Sequence, residues 1–194
     1  DEVRAWAQQV ARDHGRVNLV FNNAGISYAA TVAGADEADF RKVIDVDFWG
    51  VVHGTRAFLP LLEASGDGHV VNVSSLFGLI GYPGQSAYNA AKFAVRGFTE
   101  SLRIELELMD SCVTATCVHP GGVKTNIARA TKVHPSIAAL GVDVDAAASE
   151  FEKMFRTTPH DAAAAILSGV RKNARRVLVG GDARLLDRVQ RWFP

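Results

Sequence analysis

The chain has 194 residues, 48% of them hydrophobic and 22% charged, which suits one globular α/β unit with a sizeable core and excludes a disordered or fibrous polypeptide. Its 21 lysines and arginines equal its 21 aspartates and glutamates, so no net field draws it to nucleic acid or an anionic membrane. No stretch approaches 18 uninterrupted apolar residues and no signal peptide opens the chain, so a cytoplasmic protein without a membrane span is expected.

Val3, Trp6, Ala7 and Val10 recur at helical spacing up to Gly15, a stop signal. The chain opens on Asp1 inside this pattern and closes on Trp192-Phe193-Pro194, so it is expected to continue at both ends. Val17 to Phe21 predicts a strand, and Asn22-Asn23-Ala24-Gly25 a turn at its carboxyl end. Asp36 then caps a helix over 36–64 in which Phe40, Ile44, Phe48, Val51 and Phe58 form the apolar stripe. Gly50 and Gly54 give that helix a thin face, and Pro60 is expected to kink its end.

Val70 to Val73 is the next strand. It ends in Ser74-Ser75 and a loop punctuated by Gly78, Gly81 and Gly84. A helix over 86–109 follows, then a strand over 113–118 that runs into His119-Pro120-Gly121-Gly122. His134, Pro135, Gly141 and Pro159 interrupt residues 126–160, which read as a substrate or lid loop with two short helices. A helix over 161–172, a strand over 177–179 and a helix over 183–192 complete one domain spanning 1–194. The cluster Arg171, Lys172, Arg175 and Arg176 reads as a solvated helix terminus.

Cys112 and Cys117 fall five apart in one predicted strand and cannot bond to each other, which favours a reducing compartment. Only Cys117 and His119 lie close enough to suggest a mixed ligand pair, so no metal site is expected.

The chemistry concentrates in Tyr88 and Lys92, four apart on one helix face. A phenol at its ordinary pKa of about 10 is a poor base at neutral pH, and making it useful takes about 4 kcal/mol. One unit charge about 4 Å away at an effective dielectric near 20 supplies about that much. Such a pair suits proton exchange with a substrate oxygen that the Ser75 hydroxyl could hold. Strand, Gly-rich loop, helix, strand, Gly-rich turn is also the order of a doubly wound parallel sheet, where ligands sit outside the carboxyl ends of the strands.

In that order and spacing, Asn22-Asn23-Ala24-Gly25, Ser75, Tyr88-x-x-x-Lys92 and Pro120-Gly121 resemble the short-chain dehydrogenase/reductase family. The resemblance covers essentially the whole chain and implies a Rossmann-like fold binding NAD or NADP. It implies that Tyr88 is the catalytic acid/base, that Lys92 favours the phenolate and holds the nicotinamide ribose, and that Ser75 orients the substrate. Asn23, Ala24, Gly25 and Val73 would line the cofactor cleft with Tyr88 and Lys92, and Pro120, Gly121, Val123 and Thr125 would contact its nicotinamide end. The implied reaction passes a hydride between nicotinamide and a small carbonyl compound or secondary alcohol. The implied assembly is a homodimer or homotetramer through helices 36–64 and 86–109. A fold-only binding or dimerisation module is the alternative; the joint presence of Ser75, Tyr88 and Lys92 argues against it.

Two features depart from the family pattern. Where members carry a helix asparagine, this chain has Asp47, taken as the fourth member of the catalytic set; ionised, it would partly neutralise Lys92, and protonated, it could donate as an amide does. The phosphate-binding turn, Thr-Gly-x-x-x-Gly-x-Gly, does not occur in the sequence. The first strands, with that turn, are expected to be missing, leaving the strand over 17–21 with an open edge and these 194 residues alone with little hold on a dinucleotide.

Overall fold

A computed structural model describes residues 2–192. Asp1, Phe193 and Pro194, and with them the two points where the chain is expected to continue, lie outside the described residues. The elements in chain order are α1 (Glu2–His14), β1 (Leu19–Asn22), β2 (Tyr28–Ala29), α2 (Glu37–Ile44), α3 (Gly50–Ala64), β3 (Gly68–Val73), α4 (Ser86–Leu108), β4 (Val113–Pro120), β5 (Lys132–Val133), α5 (Ala147–Lys153), α6 (Pro159–Arg171), β6 (Arg176–Val179) and α7 (Gly181–Trp192).

Four strands form one parallel sheet in the order β1-β3-β4-β6, each neighbour reached through a helical crossover. This is the α/β, Rossmann-like architecture that the alternation of strand and helix predicts. Crossovers cover both faces, so β3 and β4 are apolar on both sides: Val70, Val71, Val113, Ala115 and Val118 are all buried. On one face α1, α3 and α4 bring Ala7, Phe58, Leu62, Leu102 and Leu106 against Val20, Val70 and Ala115. On the other, Ala162 of α6 packs with Val71, Val118, Val177 and Val179. β1 stands at the edge of the sheet with Leu19 and Phe21 exposed.

The helix expected over 36–64 is two α-helices joined by a π-turn at Asp45–Trp49, closed by the Gly50 amide donating to the Asp45 carbonyl. Of its two glycines only Gly54 is required for close approach, since a Cβ there would collide with the Asn22 amide. α3 continues through Pro60 to Ala64.

The stretch 126–160 is better anchored than a loop. β5 pairs in parallel with β2, the His134 amide donates to the Ala29 carbonyl at 2.8 Å, and the Thr31 amide donates to Ser136 Oγ at 3.1 Å. Its expected end at 160 is two residues late: Thr158 caps α6, and Pro159, with its fixed φ, starts it. Cys112 lies just before β4 and is exposed. Cys117 is buried inside the strand, where burial pushes its thiol up to about 12. The basic cluster is partly paired, Arg175 with Glu107 at 2.5 Å and Arg176 with Asp187 at 3.0 Å.

Candidate active site

α4 places Tyr88 and Lys92 one turn apart, and the neighbouring elements fix the lysine. Its ammonium lies 5.4 Å from the Tyr88 ring centroid, donates to the Val73 carbonyl at 3.2 Å, and comes 3.1 Å from Asp47 Oδ2. Lys92 and Asp47 are both buried. The approach to Oδ2 is off the hydrogen-bonding direction, leaving that oxygen with a charge partner but no directed donor. Oδ1 accepts from the Ile26 amide at 2.8 Å. Burial raises the Asp47 carboxyl above the ordinary carboxylate range, and the Lys92 charge and the Ile26 bond oppose that rise. A carboxylate carried on the π-turn thus ties the turn after β1 to the lysine of α4.

Gly25 is hemmed in by the same pair: a Cβ there would come 3.2 Å from Asp47 Oδ2 and 3.3 Å from Lys92 Nζ. Asn23 and Ala24 face solvent at the rim. The backbone of Lys92 is held as tightly as its side chain, because Ser74 Oγ donates to its carbonyl at 2.8 Å and Gly78 packs against it.

Ser75 ends the segment after β3 and opens a short 3₁₀ turn, Leu76–Gly78. Its Oγ accepts from the Phe77 amide at 3.1 Å, which leaves the hydroxyl proton free to donate elsewhere. Phe77 of that turn meets the Tyr88 ring edge to face at 6.2 Å. The Ser75 carbonyl accepts from His119 Nδ1 at 3.0 Å, linking the ends of β3 and β4. His119 is fully buried; burial lowers it to about 4, so it is neutral near pH 7, and its Nε2 has no partner.

Pro120 and Gly121 leave β4 at the same end of the sheet, and the Gly121 amide donates to the Val179 carbonyl at 2.9 Å. Val123 bridges to Thr157 and packs under α6. Thr125 is exposed beside a cavity of about 390 Å³ that Lys124, Asn126, Arg129 and Glu152 also line. The fold therefore joins Asp47, Val73, Tyr88, Lys92 and Gly25 in direct contact, and links Ser75 to them through Phe77. Val123 and Thr125 stand apart, on the strand-exit segment.

Two contributors escape a reading of the sequence. Asn89 donates to the carbonyls of Phe77 and Ile80 at 2.8 and 2.7 Å and accepts from the Tyr82 amide at 3.2 Å, pinning the loop after Ser75 to α4. Asp182, at the start of α7, accepts from the Gly122 amide at 2.6 Å, and Gly121 and Gly180 leave just enough room for its carboxylate. Asn89 could have been suspected from its place beside Tyr88. Asp182 carries no local signal, being sixty residues from the turn it holds.

A family model for short chain dehydrogenases matches residues 1–135. The chain belongs to the short-chain dehydrogenase/reductase family. It is 52% identical to SadH of Mycobacterium tuberculosis, a protein named as an oxidoreductase, over 96% of this chain and 66% of that protein. It is 35% identical to EphD of the same species, also named as an oxidoreductase, over 100% of this chain and 33% of that protein. Among solved structures it superposes on a short chain dehydrogenase/reductase from Burkholderia phymatum in complex with NAD, with TM-score 0.86, 26% identity and coverage of 96% of this chain and 69% of that one. The chain thus spans about two thirds of SadH and one third of EphD.

Proposed function

We propose that this chain carries the catalytic half of an NAD(P)-dependent oxidoreductase acting on a carbonyl compound or secondary alcohol. The observation that carries the reading is the buried Lys92 ammonium held 5.4 Å from the Tyr88 ring by Val73 and Asp47. In the direction of reduction, Tyr88 gives its phenolic proton to the substrate oxygen as the carbon receives hydride; in oxidation it takes that proton back. Ser75 donates its free hydroxyl proton to the same oxygen and fixes its position. Lys92 keeps a cation beside the phenol whichever way the proton moves, and Asp47 holds that cation against the turn at Gly25 and Ile26.

A nicotinamide cofactor supplies or takes the hydride when bound. The residues present fit its nicotinamide half: Gly25 leaves the space beside Lys92 Nζ that any Cβ would fill. Asn23, Ala24, Gly25, Val73, Pro120, Gly121, Val123 and Thr125 are the further residues we assign to that side. The pyrophosphate side requires backbone donors of a kind the sequence lacks, since no Thr-Gly-x-x-x-Gly-x-Gly occurs in it.

The exposed apolar residues Trp49 of the π-turn and Phe93, Ile104 and Leu108 of α4 support self-association along that side of the molecule. Two free thiols support a reducing compartment. No described helix is long and apolar enough to cross a membrane.

Tyr88→Phe in the whole protein tests the assignment. Turnover should fall by about 10³-fold or more while cofactor affinity stays within a few-fold, because only the proton-carrying oxygen is removed. Half-maximal activity in this variant would overturn the assignment of Tyr88 as the acid/base.

A further inference from the structure

Five of the sixteen aromatic side chains of this protein, Tyr88 among them, form one connected cluster. Tyr88 contacts Phe77 edge to face at 6.2 Å, Phe77 stacks on Tyr82 at 4.9 Å with 15° between planes, and both reach Phe151, at 6.0 and 6.2 Å. Phe155 closes on Phe151 at 5.0 Å. The rings come from α4, from the loop after Ser75 and from the region of α5, which are remote in sequence and converge only at the site. Leu76, Leu79, Ile80, Leu178 and Leu186 pack among and behind them. Phe77 is 9% exposed but Tyr82 is 43% exposed, so the cluster is buried at Phe77 and meets solvent on its Tyr82 face. Asn89, next to Tyr88, fixes that face relative to the reacting phenol by accepting from the Tyr82 amide.

We propose that this wall selects the substrate of the oxidoreductase described above: a ketone, or its secondary alcohol, bearing a flat aryl group close to the reacting carbon. The inference rests on that functional reading. A planar stack favours a planar group because rings gain from offset or edge contacts beyond simple burial. It gives little to a hydroxylated chain, whose polar groups would lose water against the rings without finding partners. A long aliphatic chain would bury area here but would forgo the ring geometry.

The test compares acetophenone, 2-octanone and dihydroxyacetone as substrates of the whole protein with NADH and with NADPH. The kcat/KM for acetophenone should exceed that for each of the other two by about tenfold, the discrimination one well-fitted apolar group commonly gives. Phe151→Ala and Tyr82→Ala should each bring the acetophenone to dihydroxyacetone ratio below about threefold. A ratio, unlike a rate, is not moved by partial unfolding. Equal use of the three ketones, a preference for 2-octanone, or ratios unchanged in both variants would overturn the proposal. So would failure of acetophenone either to react or to bind at millimolar concentration. Fluorescence titration of the same samples with NADH and NADPH judges the underlying reading separately. Absence of cofactor binding sinks the oxidoreductase assignment itself, whereas binding without aryl preference sinks only the aryl wall.

Discussion

At the amino ends of β3 and β4 the buried polar groups close on one another, whereas at the carboxyl ends two of them do not. Arg103, buried on α4, donates to Glu107 at 2.6 Å, to the Ala115 carbonyl at 2.9 Å and to Asn173 at 2.7 Å. His69 is bracketed by Thr114 and Thr116 at 2.6 and 2.8 Å, and the Thr116 hydroxyl donates to the Ala174 carbonyl at 2.6 Å. At the carboxyl end, Asp47 Oδ2 and His119 Nε2 are the described buried side-chain atoms left without a hydrogen-bond partner. Buried polar atoms are nearly always satisfied, so these two call for a water, an ion, a ligand or a role in the site. One end of the sheet thus fastens the fold with side chains alone, while the other, around Lys92 and Ser75, keeps polar atoms that take partners from outside the chain.

The strongest way to break this division is Lys92→Ala. It removes the proposed cation of the site and leaves Asp47 buried without a counter-charge, so turnover should drop at least about 10²-fold, cofactor affinity should weaken, and unfolding free energy should fall by about 3 to 5 kcal/mol. Titration with cofactor and denaturant unfolding of the same variant check both arms; intact stability would show that Asp47 is neutral in the folded protein.

A second effect follows from His119. Its folded pKa is depressed from the ordinary 6.5 to about 4, so the unfolded chain binds the proton more readily between those values. The stability this neutral histidine contributes is present above pH 6.5 and lost as pH falls toward 4, about 3 kcal/mol in all at 1.36 kcal/mol per pKa unit. Unfolding measured at pH 7, 5.5 and 4 should show that decline in the parent protein and a shallower one in His119→Asn.

Arg103→Ala sharpens the comparison from the opposite end. Losing three partners of a buried guanidinium should lower stability by about 2 to 3 kcal/mol, yet kcat at a permissive temperature should stay within about twofold, since nothing there touches the proposed chemistry. A tenfold loss of kcat would erase the distinction between the two ends. The smallest effect on turnover is expected for Asp47→Asn, which keeps an acceptor for the Ile26 amide. Turnover should remain within about threefold, and the acid limb of the pH profile should move to lower pH, because the Lys92 cation is no longer partly neutralised. A fall of more than about tenfold would give the carboxylate a role of its own.

Much of this arrangement was legible in the sequence because the informative signals are local. Largely apolar runs of three to six residues, closed by Asn22, Ser74, His119-Pro120 and Gly180, mark β1, β3, β4 and β6 within about two residues, and the Tyr88/Lys92 spacing is a property of one helix. What escaped depends on distant partners. Asn22 reads as a turn residue, yet its amide donates to Asn72 at 2.8 Å inside a buried network that reaches Thr55 and Thr99. The pairing of β2 with β5 involves two residues on each side, too few for alternation to show. The proposed catalytic roles rest on the order of the motifs, and the contacts of Lys92 with Asp47 and Val73 support them.

The π-turn at Asp45–Trp49 has a consequence for how this protein tolerates changes of length. The turn takes up one residue more than an uninterrupted α-helix would, so every downstream residue stands where its predecessor would in a regular helix, about 100° away. Gly54 lies under Asn22, and Phe58 and Leu62 point into the core, only because that offset is present. Deleting a single residue between 45 and 49 should therefore restore regular helical bonding and leave those three positions facing the sheet. Adding or removing one between Gly50 and Gly54, where no wide turn absorbs it, would swing all three away. The phase of α3 is thus written into a count of residues rather than into their identities, and a one-residue deletion should be borne far better inside the turn than just after it.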